Sequence, residues 1–81
     1  MLIKYIESSI HRATYELLED DGTFYGRIPN CQGVWANAET LEACRDELQE
    51  VLEEWILLGL QLGDLLPVID GIDLSFKKEV A

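Results

Sequence analysis

Sixteen carboxylates, one histidine and two cysteines are the side chains of this sequence best equipped for chemistry. Paired carboxylates work as general acid and base only where a pocket holds them together and drives their pKa values apart. Asp46, Glu47, Glu50, Glu53 and Glu54 instead occupy the polar faces of one amphipathic helix pattern, so they read as a solvated face. Asp64, Asp70 and Asp73 flank Gly63 and Gly71 and offer the oxygen ligands that divalent cations take, but their spacing is not that of a calcium loop. His11 could serve as a general base, with Ser8 and Ser9 close by, yet no nucleophile stands at a motif-defined spacing from it. It reads as a surface residue. Cys31 and Cys44 form no CxxC pair, and a single histidine leaves zinc few ligands, so two reduced thiols are expected. Gly22, Gly26 and Gly33 match no phosphate-cradling pattern. No catalytic residue, metal site or cofactor is therefore predicted, and the chain is not expected to be an enzyme.

The elements that would carry these residues follow from spacing. Ile3, Ile6, Ile10 and Ala13 recur at three and four, which predicts a short helix from Leu2 to about Arg12. The Ile and Tyr content of Leu2 to Ile6 also suits a strand there. A strand is expected over Thr14 to Glu19, a turn at Asp20-Asp21-Gly22 and a second strand over Thr23 to Ile28. Pro29 lacks an N–H for a ladder and closes that strand. After the loop to Gly33 a third strand runs from Val34 to about Ala38. Connections this short make an antiparallel meander.

The strongest pattern comes next. Thr40 is a natural N-cap, and Glu39 and Glu42 suit the positive end of a helix dipole. Leu41, Cys44, Leu48, Val51, Leu52, Trp55 and Leu58 form one apolar stripe, with a C-cap at Gly63 and a stop before Pro67. From Ile56 to Leu62 the helix is apolar nearly all round, which is more than one sheet can cover. Ile56, Leu57 and Leu60 are accordingly expected to touch the N-terminal helix, the tail or another chain, and are named as an oligomer contact. The tail from Val68 to Leu74 alternates weakly and offers a possible fourth strand. The whole is one α+β domain spanning residues 1–81: a three-stranded antiparallel meander packed on one long helix, with a short N-terminal helix.

Sixteen acids against six bases give a formal net charge of −10. That field repels phosphate backbones and anionic membranes and attracts basic proteins, so no direct nucleic-acid or membrane partner is expected. No apolar run is long enough for a signal peptide or a membrane span, which points to the cytoplasm. A small core commonly gains stability by assembling, so a homo-oligomer, dimer or tetramer, is expected. Strand alternation then suggests a binding face. If Tyr15, Leu17, Phe24, Gly26, Ile28, Val34 and Ala36 face the long helix, then Leu18, Tyr25 and Trp35 share the far face with Glu16 and Arg27. Tyr25 and Trp35 would be partner-binding anchors, with Glu16 and Glu19 at the rim. The alternatives are that the N-terminal helix covers this face, or that the register is shifted by one residue.

With these elements placed, the stretch GTFYGRIPNCQGVWANAETLEACRDELQEVLEEW resembles the HicB-type antitoxin family. The resemblance lies in an aromatic-rich strand ending in Pro, a Gly loop, a short strand and a Thr-Leu-Glu start to an acidic helix. Here these are Tyr25, Pro29, Gly33, Val34, Trp35, Thr40, Leu41 and Glu42, within a match from about Tyr15 to Trp55. The resemblance implies a partial RNase H-like fold and a protein that neutralises a small basic, mRNA-cleaving toxin of the HicA type. Many members add a C-terminal DNA-binding segment, which this sequence is not expected to have. The competing expectation is a stand-alone homo-oligomeric domain with a regulatory or small-molecule-binding role.

Overall fold

The structure is a computed structural model and describes residues 1–74. Five elements follow in the order helix, strand, strand, strand, helix: α1 (Leu2–His11), β1 (Thr14–Leu18), β2 (Thr23–Arg27), β3 (Trp35–Ala38) and α2 (Leu41–Leu62). This is the α+β arrangement expected from the spacing, and Leu2 to Ile6 is helix rather than strand.

The sheet is an antiparallel meander in the order β1-β2-β3. Tyr15 pairs with Gly26 and Gly26 with Ala36; Glu16 pairs with Tyr25 and Tyr25 with Asn37. The β1–β2 turn is built by its own side chains. Asp21 accepts from the backbone N–H of Thr23 at 3.0 Å and from its hydroxyl at 2.6 Å, and Gly22 takes a positive φ of 70°. The Thr23 hydroxyl, then its backbone N–H, holds the Asp21 carboxyl below the usual carboxylate range.

The capping of α2 is as its sequence demands. Thr40 Oγ1 accepts from the N–H of Ala43 at 3.0 Å. Gly63 closes the other end in the left-handed conformation, and the N–H of Asp64 reaches back to the carbonyl of Gly59 at 2.9 Å. The buried stripe is Cys44, Leu48, Leu52, Ile56 and Gly59. This differs from the expected stripe at its ends, because Leu41 and Leu58 are exposed and Val51 and Trp55 only half-buried. At the C-terminal end the reason is the tail. Beyond Gly63 the chain turns back and buries Leu66 and Ile69, with a Leu66 methyl so close to Gly59 that a Cβ there would lie 2.7 Å from it.

The same tail rotates α1 from its expected face. Tyr5, Ser9 and Ile10 are the buried residues of α1, while Ile3 is 73% exposed. Tyr5 is completely buried, and its hydroxyl donates to the carbonyl of Pro67 at 2.6 Å. Arg12 forms an ion pair with Asp70. Asp70 and Gly71 both have positive φ and make the two-residue turn of a minimal hairpin, closed by backbone bonds between Ile69 and Ile72. That isolated bridge is all that the tail contributes to strand structure up to Leu74; the expected fourth strand does not form there. Among the described residues, no helix is long and apolar enough to cross a membrane.

Candidate functional site

Both helices lie on one side of the sheet. The core cluster gathers Ile28, Val34 and Ala36 with Cys44, Leu48, Leu52 and Ile56, and α1 packs beside α2. The opposite face carries Glu16 and Leu18 from β1, Thr23, Tyr25 and Arg27 from β2, and Trp35 and Asn37 from β3. This is the register in which Tyr15, Phe24, Gly26 and Ala36 turn inward. Gly26 is required on the inner side: a Cβ would lie 2.9 Å from the Tyr15 ring and 3.0 Å from Cys44 Sγ.

On the outer face the Tyr25 and Trp35 rings lie with centroids 6.0 Å apart, tilted by 32°. Such a separation is within the favoured range for aromatic pairs. Trp35 is 54% exposed. α1 lies against α2 rather than across these rings, so the outer face is not part of the core. Glu16 stands directly opposite Tyr25, and Arg27 opposite Trp35. Asn37 donates through Nδ2 to Thr23 Oγ1 at 2.8 Å and to the carbonyl of Phe24 at 2.9 Å, extending the turn network across the face.

The expected site residues are thus only partly gathered. Tyr25, Trp35 and Glu16 share one surface. Glu19 does not join them: it is exposed in the turn beyond Leu18, about five strand residues, or roughly 17 Å, along β1 from the level of Trp35. Of the expected oligomer contacts, Leu57 and Leu60 are 58% and 40% exposed, but Ile56 is buried. It belongs to the chain's own core, because the buried stripe of α2 drifts toward α1 and the tail. The exposed apolar end of α2 instead includes Leu58, Leu62 and the loop residue Leu65.

The remaining chemical candidates are accounted for locally. Asp46, Glu47, Glu50, Glu53 and Glu54 are all exposed on α2, away from the aromatic face. Among the described residues no three His, Cys, Asp or Glu side chains are grouped to hold a metal ion. Arg12 holds the Asp70 carboxyl below its ordinary range. His11 lines a groove between α1 and α2 with Ile6, Ile10 and Arg45, with no thiol along it. Both cysteines are buried as free thiols. Burial pushes Cys31 up to about 11 and raises Cys44, which favours the protonated, unreactive form.

Comparison with known proteins adds two findings. A family model described as UPF0150-like matches residues 4–67. The crystal structure of TTHA0281 from Thermus thermophilus is similar at a TM-score of 0.87 and 36% identity, over 95% of each chain. No curated protein matches the chain.

Proposed function

The chain belongs to the UPF0150-like family, and from that premise we propose that it is a partner-binding protein of HicB-type antitoxin character, acting by occlusion of a small basic toxin rather than by catalysis. The supporting observation is the Tyr25–Trp35 pair, Trp35 exposed and Tyr25 half-buried, on a sheet face that neither helix covers. Large aromatics in such positions are typical anchors of protein interfaces. The charge of −10 favours a basic partner and accelerates its approach. Glu16 beside Tyr25 supplies a local carboxylate for a lysine or arginine at the rim. In this reading the partner is a HicA-type mRNA-cleaving nuclease.

The energetic scale follows from the exposure of Trp35. An aromatic of this size buries up to about 250 Å². With 54% exposed, roughly 130 Å² is left for a partner to cover. At about 25 cal/mol per Å² this is worth about 3 kcal/mol, or about a hundredfold in Kd. The test is to look for a small basic reading frame beside this chain's gene and to express its product with and without this chain; the absence of any such frame counts against the reading. Growth arrest relieved by the parent but not by Trp35→Ala, with Trp35→Ala keeping its helical circular dichroism, is the expected result. The reading fails if no arrest is relieved, or if Trp35→Ala protects as well as the parent. Magnesium-dependent RNA cleavage by the purified chain, abolished by one Asp or Glu substitution, would refute action by binding alone.

A further inference from the structure

Among the described residues the sheet has two open edges, since β1 and β3 are each paired there on one side only. Hydrogen-bond alternation tells which backbone groups look outward from β3. Ile28 donates to the carbonyl of Val34 at 3.4 Å, and these two residues stand opposite each other where the β2–β3 register continues past Arg27 and Trp35. In an antiparallel ladder bonded and non-bonded pairs alternate. Ala36 and Ala38 therefore direct their N–H and C=O groups toward β2, and Trp35 and Asn37 direct theirs to the open edge. The strand Trp35–Ala38 carries no charge, proline or glycine to discourage pairing.

We propose that β3 is a junction between two copies of this chain, paired antiparallel about a twofold axis at Ala36 into one six-stranded sheet. In that register Trp35 of each copy stands opposite Asn37 of the other, and each such pair exchanges two backbone hydrogen bonds, which satisfies every outward group of the strand. The contact is self-complementary, as a twofold interface must be. On the inner face the only side chains directly on the axis are the Ala36 methyls, which need little room. Glu39, the carboxylate next to the strand, falls opposite Gly33 of the other copy rather than opposite an acid.

The other edge fails the same construction. β1 directs the backbone N–H and C=O groups of Tyr15 and Leu17 to its open edge, and symmetric pairing about Glu16 sets two glutamates across from each other at about 4.5 Å between Cα atoms. In a chain of net charge −10, that favours β3 as the edge at which a second copy can add. The junction stands independently of any toxin, and it sets two Tyr25–Trp35 pairs on one continuous outer face.

Sedimentation of the full chain at micromolar concentration tests it. The expected mass is twice the 9.2 kDa of one chain. Asn37→Pro removes the outward N–H at an edge position where proline is tolerated. It should raise the dimer Kd by about tenfold or more, because two of the junction bonds are lost. Asn37→Ala keeps the N–H, removes the side-chain bonds to Thr23 and Phe24, and should remain dimeric. Amide exchange on the parent provides a readout that needs no variant. Trp35 and Asn37 amides should be protected when concentrated and lose that protection on dilution, while Ala36 and Ala38 stay protected throughout. A monomeric parent overturns the proposal. So does an Asn37→Pro dimer as tight as the parent's, concentration-independent exchange at Trp35 and Asn37, or a dimer that dissociates only on Leu57→Glu with Leu60→Glu.

Discussion

Removing one oxygen atom at Tyr5 tests how the tail is held. Tyr5 is completely buried, and its hydroxyl donates to the Pro67 carbonyl at 2.6 Å, tying α1 to the segment that closes the core over Ile56 and Gly59. Tyr5→Phe keeps the ring and deletes the donor. A typical net hydrogen bond contributes about 0.5–1.5 kcal/mol, and a carbonyl left without a donor adds to the loss. Pro67 is half-buried, so water recovers part of that second cost. The expected destabilisation is about 1–2 kcal/mol. In a domain of this size it lowers Tm by roughly 5–15 °C. The pH dependence gives a second, independent signature. Burial, then the nearby Cys31 and Asp73, raise the Tyr5 hydroxyl from 10.0 to about 12. Below pH 10 both folded and unfolded states hold the proton, and the full contribution is present. Between about pH 10 and 12 only the unfolded state releases it, so the parent loses stability as pH rises. The variant has no proton to lose at this position, and its Tm should fall less steeply there, bringing the two curves together. Thermal melts followed by circular dichroism from about pH 7 to 11.5 measure both effects. An unchanged Tm at neutral pH, or parallel alkaline profiles, would refute the tethering of α1 through this hydroxyl.

Three further outcomes are expected. Thr40→Ala removes the acceptor that caps Ala43 and should cost about 1 kcal/mol in urea unfolding, whereas Thr40→Asp should recover most of it. Asp70→Asn should lower stability at neutral pH. Because Arg12 depresses the folded-state pKa of Asp70, the parent's advantage should persist above the ordinary carboxylate range and disappear as pH falls through the lowered value, a convergence that acid titration of the melts will detect. Cys31 and Cys44 should resist alkylation at mildly alkaline pH in the folded protein and react readily in denaturant; fast labelling of the native protein, read by mass spectrometry, would contradict their burial.

Local physics made most of the architecture legible in the sequence. The spacing of Cys44, Leu48 and Leu52, the hydroxyl of Thr40 and the φ freedom of Gly63 specify where α2 begins, which side it buries and where it stops. Short turns and two-residue alternation specify a meander and set Tyr25 and Trp35 on the same face. Periodicity does not say what lies against an apolar residue. Ile56 and Leu57 are both apolar neighbours on α2, and only the packing of α1 and the returning tail over one flank makes Ile56 core and leaves Leu57 in solvent. The same long-range packing turned Tyr5 rather than Ile3 inward on α1, and it could do so because Pro67, sixty-two residues away in the chain, supplies the acceptor that a buried hydroxyl needs. Alternation also left open whether α1 would cover the aromatic face. Its packing beside α2 decided that, and with it which side chains of this acidic domain a second protein can reach.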